Sequence, residues 1–211
     1  MILASSYPLI GRKVLFMKLR KLLFVLALAL VSFSAASAQK VGIKTNLLYD
    51  AALSPNLGVE IGLAPRWSLD ISGNVNFWTI DDHKWKHWIA QPEARYWFCE
   101  RFAGNFLGFH AIGGQYNFGN IDFGGYNFLG TDLKQLENHR LQGWMAGAGI
   151  AYGYSWILGK HWNFEAEIGI GWIYTRYDRF ICGECGAKDQ SNKVHNYVGP
   201  TKAALNIVYL F

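Results

Sequence analysis

Acidic side chains are absent from the first 38 residues, where five basic ones stand: Arg12, Lys13, Lys18, Arg20 and Lys21. Met17 opens a basic stretch, the apolar run 22–30 follows, and Ala36-Ser37-Ala38 ends it. That order is an n-region, an h-region and an A-x-A cleavage site. Residues 1–16 precede it and read as an upstream extension, so 1–38 is expected to be extension plus cleavable signal peptide, and 39–211 the mature domain. Cysteine is scarce too. Only Cys99, Cys182 and Cys185 occur, none close behind the apolar run, which excludes a lipoprotein anchor. Net charge is also missing from the mature part. Five of the 20 basic residues and none of the 15 acidic ones lie in the leader, so the remainder is formally neutral. The pI near 9.1 describes the leader, and no nucleic-acid partner is expected of a domain without a basic patch.

What the mature chain does have is alternation. In 67–77, Trp67, Leu69, Ile71, Val75 and Phe77 fall on one face, and Ser68, Asp70, Ser72, Asn74 and Asn76 on the other. In 162–172, Trp162, Phe164, Ala166, Ile168, Ile170 and Trp172 oppose Asn163, Glu165 and Glu167. Period two marks strands. The same reading predicts eight of them, at 41–52, 56–63, 66–78, 86–98, 104–118, 140–157, 161–177 and 196–211. Eight is the even number that a bacterial single-chain barrel requires.

Link lengths alternate as well. Ala64-Pro65, 99–103 and 158–160 are short, whereas 119–139 and 178–195 span about 21 and 18 residues. Only the first link, near Ser54-Pro55, is short where a long one is expected. Short periplasmic turns opposite long extracellular loops describe an outer-membrane barrel. All nine tryptophans (67, 78, 85, 88, 97, 144, 156, 162, 172) fall near predicted strand ends, as interfacial girdles would.

Residues 141–159 carry no charge, and Gly143, Gly147, Gly149 and Gly153 are spaced as in a small-xxx-small helix. Yet these glycines all have odd numbers, while Trp144, Ala146, Ala148, Ile150, Tyr152, Tyr154 and Trp156 take the even ones. That is a strand with a small-residue inner face.

An apolar outer band is stable only outside water, and its backbone amides must still be paired. Closing the sheet meets both demands. The expectation is therefore all-β: an eight-stranded antiparallel transmembrane up-and-down β-barrel with a filled polar lumen. Its lumenal network would be Lys44, Glu60, Asp70, Glu93, Arg95, Glu165, Glu167 and Lys202, with His87 and His110 also inward. Eight strands enclose an interior that side chains just fill, so no open pore is expected. The last strand places Tyr197, Thr201, Ala203, Leu205, Ile207, Tyr209 and Phe211 on one face. Tyr209 and Phe211 resemble the C-terminal signal read by the barrel assembly machinery.

The segments Lys44-Thr45-Asn46-Leu47-Leu48-Tyr49-Asp50, Gln91-Pro92-Glu93-Ala94-Arg95-Tyr96-Trp97 and Gly199-Pro200-Thr201-Lys202-Ala203-Ala204-Leu205 are similar to the exported "domain of unknown function 3575" proteins of Bacteroides-type bacteria. The resemblance spans nearly all of the mature chain. It implies an outer-membrane barrel, and a loose link to fimbrial or adhesion systems and so to surface or fimbrial partners. It carries no activity and no catalytic residues.

Candidate chemistry is thin. Cys182-Gly183-Glu184-Cys185 suits a loop-stiffening disulfide, which an oxidising compartment favours, or half of a zinc site completed by His139 or His195. Cys99 has no evident partner. Asp81-Asp82-His83 with His87 reads as a polar rim, with cation binding the sharper alternative. Glu93, Arg95, Glu165 and Glu167 read as a structural ion-pair network rather than an acid-base site. Three functions compete. The first is a barrel with a structural or surface-interaction role, non-enzymatic and free of cofactor and metal. The second is a lipid-modifying enzyme, which needs a nucleophile, a base and an acidic orienter; His87 and His110 are present, but no serine stands at a fitting spacing. The third is a soluble lipocalin-like ligand carrier, against which the girdle pattern argues.

Overall fold

The computed structural model describes residues 41–80, 83–121, 127–128, 131–132, 139–181 and 187–211. The expected signal peptide, Asp81-Asp82 and the Cys182/Cys185 pair lie outside these residues. Strands β1 (Val41–Asn46), β2 (Asn56–Ala64), β3 (Trp67–Ile80), β4 (His83–Trp97) and β5 (Gly104–Gly119) come first, with a short helix α1 (Leu47–Ala51) between β1 and β2. A two-residue pair, β6 (Asn127–Phe128) and β7 (Thr131–Asp132), precedes β8 (Arg140–Ile157), β9 (Trp162–Phe180) and β10 (Lys188–Leu210).

Eight of these form one closed antiparallel ring in the order β1-β10-β9-β8-β5-β4-β3-β2, and β6 pairs β7 separately. Each ring strand pairs with the ring strands before and after it in the chain. The last closes on the first from Gly42↔Leu210 to Asn46↔Asn206. Residues 141–157 of that segment are thus strand, and its glycines answer to close approach. A Cβ on Gly153 would enter the Phe106 ring, and one on Gly147 would enter the Trp172 carbonyl.

The ring is uneven, with strands from 6 to 23 residues long. Strand one was expected to reach residue 52 but ends at Asn46, because that side chain caps a helix: Asn46 Oδ1 accepts from Leu48 N at 3.1 Å. Past that point α1 and residues 52–55 fill the wall between β10 and β3. Asn46 Oδ1 also accepts from Leu205 N, and Asn46 Nδ2 donates to Ala203 O, each at 3.1 Å. On the other flank Val75 N donates to Pro55 O at 3.0 Å, and Asn76 Nδ2 to Leu53 O at 3.3 Å. Sheet edges that two short strands leave open are thereby satisfied.

At the loop end the strands outrun expectation. Residues 178–180 and 188–195 belong to β9 and β10, and Gly119 to β5. Backbone pairing carries a polar strand onward after its apolar alternation stops.

Face assignment follows parity, and among several register breaks one in β10 reverses expected faces. Odd residues of β3's outer face and even residues of β8 and β9 point outward, and their neighbours inward. In β10 the register shifts between Pro200↔Ile170 and Lys202↔Gly169. Thr201 is the extra residue of this bulge. Tyr197 and Thr201, expected on the outward face with Tyr209, therefore lie inward: Tyr197 pairs with Ile173, and Thr201 is 9% exposed.

The tryptophans divide in a similar way. Trp67, Trp156 and Trp162 point outward near the turn end, and Trp88, Trp144 and Trp172 toward the loop end, each 42–50% exposed. The other three stand at inward-parity positions, though Trp78 at the loop end is exposed. Trp97 is wholly buried with Phe102, Phe106, Val208 and Leu210, an apolar plug at the turn end. Trp85 packs on Phe118 at 4.9 Å, and Trp78 Nε1 donates to Leu53 O at 2.9 Å.

Candidate functional site

The polar residues at inward positions meet in the middle of the ring. Arg95 on β4 is the hub. Its Nε donates to Glu93 Oε1 at 2.6 Å, Nη1 to Glu60 Oε2 at 2.7 Å and Glu165 Oε2 at 3.0 Å, and Nη2 to Glu167 Oε2 at 2.7 Å. Lys44 Nζ lies 2.6 Å from Glu60 and 3.2 Å from Asp70. Lys202 Nζ lies 2.7 Å from Glu93 and 3.1 Å from Glu167. The structure brings together all eight residues of the expected network, from six strands, each no more than 7% exposed. A planar guanidinium with five donors suits a hub that four carboxylates from three strands approach.

The surroundings of the hub complete it. Ser68 Oγ donates to Glu60 Oε1 and accepts from Trp97 Nε1 at 2.8 Å, which ties the charges to the apolar plug. Arg95 Cζ stands 4.4 Å over the Phe106 ring. Beside Lys44, Asp70, Asn74 and Lys202 there is a cavity of about 20 Å³, room for about one water. Asp70 Oδ1 and Asn74 Oδ1, buried and unpaired, are the acceptors such a water would use.

His110 and His87 stand apart from each other. His110 Nε2 is 2.8 Å from Thr201 Oγ1, and its Nδ1 is 3.7 Å from Glu93 Oε2. A hydroxyl, an imidazole and a carboxylate in a row invite comparison with a hydrolytic triad. The last gap is too long for a hydrogen bond, and Glu93 is taken by Arg95 and Lys202. His87 sits higher, with Trp85 at 6.3 Å and Phe118 at 5.9 Å. Among the described residues no group of three or more His, Cys, Asp or Glu is placed to hold a metal. Of the residues proposed for a cation or zinc, His83 pairs with the Asn120 carbonyl, and the Nδ1 of His139 is buried without a partner. The cysteine pair falls outside the described residues, and Cys99 is a free, exposed thiol.

At the C-terminus Tyr209 is on the outward row beside Trp162, ring centroids 5.0 Å apart. Phe211 is exposed, and its N–H donates to Val41 O at 2.9 Å.

Over residues 22–211 the chain matches a family described as "Protein of unknown function (DUF3575)". The chain belongs to the DUF3575 family. No curated protein and no solved structure matches it. The family description supplies no activity, so the function of this DUF3575 protein has to be argued from its own geometry.

Two features of the DUF3575 chain were not foreseen from its sequence. The His110–Thr201 contact joins residues 91 apart and depends on the bulge that turns Thr201 inward. Asn46, read only as part of a strand, caps α1 and two peptide groups of β10.

Proposed function

We propose that the mature chain is a transmembrane β-barrel of the bacterial outer membrane, with a filled polar lumen and a structural or surface-interaction role rather than a catalytic one. The carrying observation is an inversion of faces. Between the two outward tryptophan rows no outward strand residue among those described is charged, and the one exposed carboxylate there, Asp50 of α1, is tied to Thr45 Oγ1 and Asn56 Nδ2 at 2.8 Å each, while three cations and five carboxyl groups are buried inside. Ten residues separate Trp162 from Trp172, and twelve separate Trp144 from Trp156. At about 3.3 Å per residue and roughly 40° of tilt the rows stand some 25–30 Å apart, close to the apolar band of such barrels. In water the same surface would be an unmatched apolar belt.

The competing readings fit less well. A lipocalin-like carrier needs an apolar interior with room for a ligand, and this interior is charged and nearly full. A lipid-modifying enzyme needs an activated nucleophile, and the nearest hydroxyl–imidazole–carboxylate set lacks its orienting bond. The lipid bilayer and the assembly machinery are the partners this reading requires, the latter through Tyr209 and Phe211. Surface or fimbrial proteins would meet the loop end.

Fractionation tests the reading. The mature protein should pellet with outer membranes, resist alkaline extraction and run as a heat-modifiable band. Recovery in the soluble periplasmic fraction would favour the carrier, and release of fatty acid from added phospholipid would favour the enzyme. For orientation, Asn192→Cys in a background lacking the native cysteines should react with an impermeant maleimide on whole cells, whereas Gly159→Cys should not.

A further inference from the structure

We infer that the outer face at the loop end holds a binding site for a phosphorylated glycolipid of the outer leaflet, gripped by Lys86 and Arg176 at the two flanks of Trp88 and Trp144. The inference rests on the membrane reading. Two adjacent outward rows cross the same strands there. Trp88, Gln115, Trp144 and Arg176 are register partners from β4 to β9, and Lys86, Asn117, Gln142 and Asp178 form the next row up. Both rows line one recess of about 820 Å³.

The chemistry of the recess is graded from apolar to anionic-selective. The indole rings mark the depth at which acyl chains give way to head groups. Gln115 stands between the indoles and Arg176 ends their row, while Lys86 opens the next row with Asn117 and Gln142, so the two cations flank three amide side chains. Neither Lys86 nor Arg176 donates a hydrogen bond to another described residue. The one carboxylate on these rows, Asp178, is already occupied by Lys188 Nζ at 2.7 Å and Asn192 N at 2.9 Å. Lys86 is thus left without a described partner and Arg176 with only a through-space attraction to the already bonded Asp178, on a face whose middle band carries no cation.

Spacing narrows the ligand. Lys86 and Arg176 are three inter-strand steps apart, about 14 Å at roughly 4.8 Å per step. A single phosphodiester reaches one of them, and a head group with a phosphate at each end of a sugar core reaches both. The amides between them suit its hydroxyl groups. Asn117 Oδ1 is buried with no partner, an acceptor for one of these. Trp88 Nε1 donates to Gln115 Oε1 at 3.2 Å, which leaves the Gln115 amide N–H groups free to donate.

The test uses the purified full mature protein in neutral detergent, with native mass spectrometry as readout. The probes are a bis-phosphorylated glycolipid, its dephosphorylated form, phosphatidylglycerol and inorganic diphosphate. The wild type should retain the bis-phosphorylated glycolipid over the dephosphorylated form, and each of Lys86→Gln and Arg176→Gln should weaken retention about tenfold, as expected for one charge-assisted contact. The double variant should lose the preference, while Lys160→Gln at the opposite end keeps it. The preference in wild type should also fall between 50 and 500 mM salt, approximate settings chosen to bracket strong screening, which decides the matter if the double variant does not fold. Equal binding of the dephosphorylated form, an unchanged double variant, or a salt-independent preference would overturn the site. Equal competition by phosphatidylglycerol or displacement by diphosphate would overturn the glycolipid assignment. Detergent-phase partitioning and heat-modifiable mobility are recorded on the same sample. Failure there overturns the membrane reading and this site with it, whereas a partitioning protein without preference overturns this site alone.

Discussion

Ile168 and Glu167 are consecutive residues of β9, yet the first is 64% exposed on the outer face and the second 6% exposed within the charge network. One residue of register separates an outward apolar side chain from an ion pair with Arg95. Ile168→Arg should therefore abolish most outer-membrane accumulation, since a cation facing mid-bilayer lipid costs about 2–4 kcal/mol. Glu167→Gln keeps its volume and a hydrogen-bonding head, and should fold with a smaller loss. Immunoblots of membrane fractions compare the two, and equal tolerance would contradict the face assignment.

Arg95 is the residue whose loss should cost the lumen most. Arg95→Met leaves Glu60, Glu93, Glu165 and Glu167 facing one another without their shared cation, and stranding buried charge costs about 3–5 kcal/mol. Arg95→Lys should recover only part of this, because one ammonium cannot hold four carboxylates in that geometry. Urea unfolding of the purified protein in detergent, followed by tryptophan fluorescence, measures both. A midpoint unchanged in Arg95→Met would show that the network contributes nothing to stability.

Asn46 bonds both α1 and the open edge of β10. Asn46→Ala should release Leu48 N and Leu205 N together, a loss of about 1–2 kcal/mol local to that wall. Hydrogen exchange should quicken at Leu205 while the β8/β9 amides, such as Ile150, keep their protection. Uniform loss of protection around the ring would mean that the cap holds the whole sheet rather than one edge.

Tyr209 and Phe211 lie where the last strand closes on the first. Tyr209→Ala with deletion of Phe211 should lower the amount of folded barrel in the outer membrane while export across the inner membrane continues. The unfolded form should build up in the periplasm, visible as a band that does not shift on heating. Normal accumulation would remove these aromatics from the assembly signal.

The parts of this architecture legible in the sequence are those that depend on local alternation. Glu165, Glu167 and Ile168 declare their faces by parity alone, and parity collects eight charged residues in one lumen before any pairing is known. Parity fails where the chain gains a residue: the bulge at Thr201 reverses the faces from Pro200 back to Lys193, and no residue type announces it. Asn46 looks like one more strand position, because a cap is told from a strand by the turn that follows. The extra lengths of β9 and β10 escape notice since backbone pairing extends strands whose side chains no longer alternate. Trp97 and Trp85 stand at strand ends as girdle residues do, yet face inward, and Trp78 leaves the girdle to bond the Leu53 carbonyl while staying exposed.

The central claim is that the apolar outer band touches acyl chains, and a depth measurement tests it most directly. Nitroxide labels at Ala111, Ile150 and Ile168, in protein lacking its native cysteines and reconstituted in vesicles, report their relative collision rates with oxygen and with a water-soluble nickel chelate. All three should favour oxygen strongly, with labels at Trp144 and Trp162 nearer to balance. Ready collision of the three mid-band labels with the nickel chelate would place this face in water and contradict the account.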